Sequence, residues 1–203
     1  DSCILYNSSQ ETTIENVGNT DTNFKVTTNV TNVPTDIVDI RYAVWSEING
    51  QDDLKWIYGT KNDSSWSIDI TNMKDQGQYN VHAYACMNDG FMIMLGGYTF
   101  EVTAPTWEIE IANQDDEAGT FDVIVKNIES KSGVSQVQIP VWCASDQSDI
   151  VWYEATRQSD GSYKATVRIS NHKYHSGKYT VHTYLTAGNG IRTSKPYSKG
   201  VIM

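Results

Sequence analysis

The chain has 203 residues, room for one large domain or two of about 100 residues each, and carries a formal net charge of −10. An acidic surface with its basic side chains scattered singly repels phosphate backbones. It argues against nucleic-acid binding and, more weakly, against docking on anionic lipid. The longest apolar run, Phe91-Met92-Ile93-Met94-Leu95, is strand-sized, so the fragment contains no membrane span.

Asp1 is not a natural start, and the chain reads as an excised or processed fragment. The first predicted module covers residues 1–104. Ile40, Tyr42 and Val44 alternate with Arg41, Ala43 and Trp45, the period of a strand with one face buried. Asp52-Asp53 follows beside Gly50 as turn chemistry. Trp66, Ile68 and Ile70 alternate with Ser67 and Asp69, which assigns Trp66 to the core. Tyr79, Val81 and Ala83 then alternate with Asn80, His82 and Tyr84, ahead of a turn at Asn88-Asp89-Gly90. The segment Thr103-Ala104-Pro105-Thr106 is the join, because proline cannot donate to a strand ladder. Being short and poor in glycine, it predicts a semi-rigid linker.

The second module, residues 105–203, repeats these landmarks in order. Phe121 follows Phe24, and Val141-Trp142-Cys143 follows Val44-Trp45-Ser46. Asp149-Ile150-Val151-Trp152 follows Asp53-Leu54-Lys55-Trp56. Gly177-Lys178-Tyr179-Thr180-Val181-His182-Thr183-Tyr184 follows Gly77-Gln78-Tyr79-Asn80-Val81-His82-Ala83-Tyr84. Tyr163 heads an inward-facing run, as Trp66 does. With about seven short strands in each copy and no helical periodicity, the predicted fold is all-β: two tandem immunoglobulin-like β-sandwich modules.

Chemistry is sparse. The sequence has no phosphate-binding glycine loop, nucleophile elbow or zinc-protease helix. The acidic pairs Asp52-Asp53 and Asp115-Asp116 read as solvated turns, and a two-sheet sandwich offers no evident cleft for a pair of opposed carboxylates. His172 and His175 sit three apart in a segment that reads as a loop. A metal there would not be repeated, since Met73 and Asp75 or Gln76 stand at the matching positions. Cys3, Cys86 and Cys143 are too few for a disulfide framework; one bridge, Cys3 with Cys86, is the pairing to test. The expectation is no enzyme, no cofactor and no metal.

The residues left over are aromatic. If the aliphatic strand faces are the core, Trp45, His82 and Tyr84 form an outward ridge on module one, and Trp142, His182 and Tyr184 form another on module two. Trp56 and Trp152 extend them from the next strand. Such rings either stack on sugars of a wall glycan or cover the sheet as a minor core.

The strings Val-Trp-Ser, Gln51-Asp52-Asp53-Leu54-Lys55-Trp56, Asn171-His172-Lys173 and the twice-used Gly-x-Tyr-x-Val-His-x-Tyr resemble the Bsp-like repeat family, from about Phe24 to Gly90 and Phe121 to Gly190. The resemblance implies a secreted Gram-positive protein at the cell wall, with the repeats often beside peptidoglycan hydrolase domains. It supplies no established ligand and no catalytic residue. The function expected is a targeting or spacer region with weak peptidoglycan affinity; the alternative is an adhesin-like module that contacts a surface protein.

Overall fold

The computed structural model describes residues 9–33 and 35–203. The chain divides into two compact units, one ending at Thr103 and the other starting at Ala104. In the first unit the strands are β1 (Ser9–Asn16), β2 (Asn23–Thr31), β3 (Ile37–Ser46), β4 (Lys55–Tyr58), β5 (Thr60–Asn62), β6 (Ser65–Thr71), β7 (Gly77–Met87) and β8 (Met92–Val102). They form two antiparallel four-stranded sheets, ordered β1-β2-β6-β5 and β4-β3-β7-β8. This is the immunoglobulin-like arrangement, with an extra strand beside the central pair of the second sheet.

The second unit repeats the plan with β9 (Thr106–Asp115), β10 (Thr120–Glu129), β11 (Val134–Trp142), β12 (Val151–Glu154), β13 (Thr156–Arg157), β14 (Tyr163–Arg168), β15 (Lys178–Ala187), β16 (Arg192–Pro196) and β17 (Val201–Ile202). Its sheets run β13-β14-β10-β9 and β12-β11-β15-β16, with β17 also on β15. Here the last strand is split in two. Pro196 has no N–H to donate, and the chain leaves the ladder before Val201 returns to it opposite Tyr179.

The alternation in sequence becomes burial. Ile40, Tyr42 and Val44 of β3 face Val26, Trp66 and Ile70 across the first sandwich, and Trp66 is 1 % exposed. Phe24, Tyr79 and Phe100 stack in the same core. In the second unit Phe121, Val123, Ile139, Tyr179, Val181 and Leu185 play these parts, with half-buried Tyr163 packed against them. Each fully buried side chain of this size contributes about 2–3 kcal/mol. The large core tryptophan changes strand between copies. It is Trp66 on β6 in one and Trp107 on β9 in the other, where its Nε1 donates to Thr183 Oγ1 at 2.8 Å.

A hydrogen bond at the start of β7 and β15 ties each sandwich together. Tyr79 Oη accepts from the Asp75 N–H at 3.1 Å, and Tyr179 Oη donates to the His175 carbonyl at 2.6 Å. This is the tyrosine corner of immunoglobulin-like folds, and it accounts for the tyrosine two residues after Gly77 and Gly177. Burial pushes the Tyr179 hydroxyl pKa up to about 12, helped by the nearby Cys143 and Asp149. The β7–β8 and β15–β16 hairpins turn alike: Gly90 and Gly190 take φ of 90° and 89°, and their N–H groups bond the carbonyls of Met87 and Ala187.

Candidate functional site

The expected ridges occupy one face of one sheet in each unit. Residues opposite one another in a ladder point the same way, and Ala43 lies opposite both His82 and Trp56, while Arg41 lies opposite Tyr84 and Tyr58. The aliphatic residues of β3 take the other face, so Trp45, Trp56, His82 and Tyr84 share the outer one. Trp45 meets His82 edge-on at 4.7 Å between centroids, and Trp56 meets Tyr84 at 5.3 Å with 49° between planes. In the second unit Trp142 meets His182 at 4.9 Å, and Trp152 meets Tyr184 at 5.1 Å with 47° between planes.

Exposure divides each ridge in two. Trp45 is only 9 % exposed, and with Ala43 at 3 % it forms a floor over the sheet; Trp142 is half-buried. Trp56 and Trp152 are 49 % and 47 % exposed. They present ring surface to solvent, whereas the Trp–His pairs beneath serve mainly as packing.

An arginine lies beside each exposed tryptophan, over the neighbouring Tyr58 ring in the first unit and over the Trp152–Tyr184 pair in the second. The Arg41 guanidinium lies 4.5 Å from the centre of the Tyr58 ring beside Trp56, and these residues with Met92 line a depression of about 310 Å³. Arg192 lies 4.6 Å from the Tyr184 ring and 5.5 Å from Trp152, and it donates to Gln138 Oε1 at 2.7 Å. Gln138 in turn donates to Glu154. By register Gln138 stands where the first unit has Arg41, Glu154 where it has Tyr58, and Arg192 where it has Met92. The arginine has moved two strands across the sheet, from β3 to the strand that carries Arg192, yet a cation still sits over the aromatic cluster. Sequence reasoning missed both arginines, because in the linear chain each is a single basic residue with no motif around it.

The GBS Bsp-like repeat model matches residues 13–100 and again residues 110–196. The chain belongs to the GBS Bsp-like repeat family. No curated protein matches it significantly. Among solved structures it is similar to a polysaccharide deacetylase from Bacillus cereus at 15 % identity and a TM-score of 0.36. That alignment covers 50 % of this chain and 31 % of the deacetylase, so the chain spans about a third of its length. It is also similar to the FN1–FN3 domains of chicken CNTN1 (13 % identity, 88 % of this chain, 59 % of that one, TM-score 0.35). A two fibronectin type-III domain segment from chicken tenascin aligns at 11 % identity over 94 % of this chain and 99 % of that one, with a TM-score of 0.39.

A second polar cluster lies in each Bsp-like repeat where β3 or β11 ends. In the second repeat the Asp149 side chain is fully buried and accepts from the backbone N–H groups of Cys143, at 3.2 Å, and Ala144, at 3.0 Å, and from His175 Nδ1, at 3.0 Å. Burial disfavours its charge, but these donors outweigh it and hold the carboxyl below the usual carboxylate range. In the first repeat Asp53 accepts the Ser46 N–H at 2.9 Å, and Ser46 Oγ donates to Asp75 at 3.0 Å. Asp53 and Asp149 are therefore loop clamps, and for Asp53 this corrects the expectation of a solvated turn residue. Burial, with Asp149 close by, pushes the Cys143 thiol pKa up.

His172 is also structural. The segment expected as a loop is a short 3-10 turn, Ile169–His172, and the imidazole is fully buried. Its Nδ1 donates to the Asp149 carbonyl at 2.9 Å, leaving Nε2 to accept from Tyr153 Oη at 2.9 Å. Both nitrogens are committed to the protein, and neither faces His175 as a co-ligand.

The expectation that the sandwich offers no cleft is corrected in the first repeat. There Met73 and Ile57 stand where His172 and Tyr153 bridge the second, and both line a concavity of about 560 Å³. Asp52, Asp53, Asp69 and Asp75 line it with Lys55 and Lys74. Two of those carboxylates, Asp53 and Asp75, are taken up by Ser46. Cys86 is buried on β7, with its thiol pKa raised by burial; Cys3, the other half of the expected bridge, lies outside the described residues.

Proposed function

We propose that this repeat pair is a non-catalytic, extracellular, cell-wall-associated region that targets or spaces a neighbouring hydrolase or other domain, and that its exposed aromatic faces bind wall glycan weakly. Membership in the repeat family and the paired sandwich fold fit a non-catalytic surface module. Among the described residues no helix is long and apolar enough to cross a membrane.

The observation that carries the binding part is the Trp–Tyr–Arg set that recurs on the outer face of both repeats, with its arginine drawn from different strands. A fold needs no guanidinium at that place from either strand, so recurrence of the charge over the rings supports selection for the surface itself. Indole faces stack on the apolar faces of sugar rings, while Arg192, Gln138 and Glu154 offer donors and an acceptor to hydroxyls at the ring edge.

The test is sedimentation of the chain with purified peptidoglycan, followed by titration with soluble glycan fragments. The double variant Trp56→Ala, Trp152→Ala is expected to lose at least about tenfold in affinity, equivalent to about 1.4 kcal/mol, with its melting temperature little changed. Glycan binding unaffected by the double substitution, or binding to a surface protein with no glycan affinity, overturns the reading.

A further inference from the structure

The two repeats are internal controls for each other, and they differ most along one edge. β8 is the outer strand of its sheet, is eleven residues long, and is uncharged from Met92 to Phe100. Its counterpart β16 is five residues long. By register, Met92 stands against Arg192, Gly96 against Lys195 and Gly97 against Pro196. Shortness, a charge and a proline are the devices that keep a free strand edge from pairing with another chain. The second repeat has all three and the first has none along that stretch. Because β16 performs the same structural part, the fold does not require an apolar edge. Even so, the first repeat exposes Phe91 by 72 %, Met92 by 42 % and Met94 by 49 %.

We propose that β8 is a self-association edge, to which the β8 strand of a second copy of this chain adds antiparallel about a two-fold axis. The composition of the edges selects that occupant. On β8 the single charge, Glu101, lies at the far end beyond a nine-residue uncharged stretch, whereas among the described edge strands other than the two-residue β17 a charge interrupts each: Glu11 on β1, Lys55 on β4, Lys61 on β5, Glu108 on β9, Glu154 on β12, Arg157 on β13 and Arg192 on β16. An uncharged apolar edge is matched by a like edge, and a two-fold pairing places each residue of the patch against the same patch. One obstacle is local: among the described residues the Gln10 side chain donates to the Leu95 carbonyl at the bulge, and an added strand displaces that contact.

The experiment is sedimentation equilibrium of the full 203-residue chain from about 1 to 200 μM, a range that spans the dissociation constants of weak and standard protein contacts. The expected result is a closed monomer–dimer equilibrium. The double variant Met92→Arg, Met94→Lys should be monomeric throughout, with wild-type circular dichroism and melting temperature. Ser194→Lys, at the matching place in the second repeat, should dimerise as the wild type does. A wild-type chain that stays monomeric at the highest concentration overturns the proposal. So does open-ended aggregation in place of a dimer, or a double variant that remains folded and still dimerises.

Discussion

Replacing Asp149 with alanine separates a buried clamp from an ordinary turn acid. The substitution removes the acceptor for two backbone N–H groups, those of Cys143 and Ala144, and for His175 Nδ1. A buried donor left without a partner costs about 1–3 kcal/mol, so two orphaned N–H groups put the loss at about 2–6 kcal/mol. Asp53→Ala, the matching change in the first repeat, removes one backbone bond, to Ser46, from a half-buried carboxylate, and about 1 kcal/mol is expected. Differential scanning calorimetry of the whole chain reads both. At about 4–8 °C per kcal/mol for a domain of this size, Asp149→Ala should lower the transition of its repeat by roughly 10 °C or more and Asp53→Ala by a few degrees. An Asp149→Ala shift no larger than that of Asp53→Ala would refute the reasoning that burial and bond number set the difference.

The corner tyrosines give a second check. Tyr79→Phe deletes the hydroxyl's bonds to the Asp75 N–H and carbonyl, Tyr179→Phe its bond to the His175 carbonyl, both without changing ring packing, and each should cost about 1 kcal/mol in urea unfolding. The third concerns acid. Burial works against the charge of Asp122, but Thr166, Asn113 and Lys164 together hold its carboxyl below the usual range. A carboxyl whose folded pKa is depressed contributes stability that is present above the unfolded value, about 3.9, and is lost as pH falls through the folded value. The stability gap between wild type and Asp122→Asn should therefore be full at pH 7 and close as the pH falls below the unfolded value and through the lower folded one; a gap independent of pH counts against it.

Much of the molecule was legible in one dimension because a strand translates sequence parity directly into facing. The alternation at Ile40–Trp45 and at Tyr79–Tyr84 put Tyr42, Val81 and Ala83 in the core and Trp45, His82 and Tyr84 on the other face, and the register agrees. The repeat was legible because its landmarks are local strings, and the family match covers the same two stretches.

Parity says which face a side chain takes, but not what lies over it. Trp45 and Trp56 share a face, and only neighbouring strands decide that one is buried and the other half open. The arginines beside the exposed tryptophans come from different strands in the two repeats, so no local pattern marks them. Nothing in the sequence marks Asp149 as a buried acceptor, because its three donors, from Cys143, Ala144 and His175, meet only when the loops close over it. Thus the sequence by itself determined two copies of an all-β module and the sidedness of their strands, through period-two geometry. The tertiary structure alone decided which aromatic rings remain exposed, which carboxylates are buried and which apolar strand lies at a sheet edge, because each depends on strands brought together from distant parts of the chain.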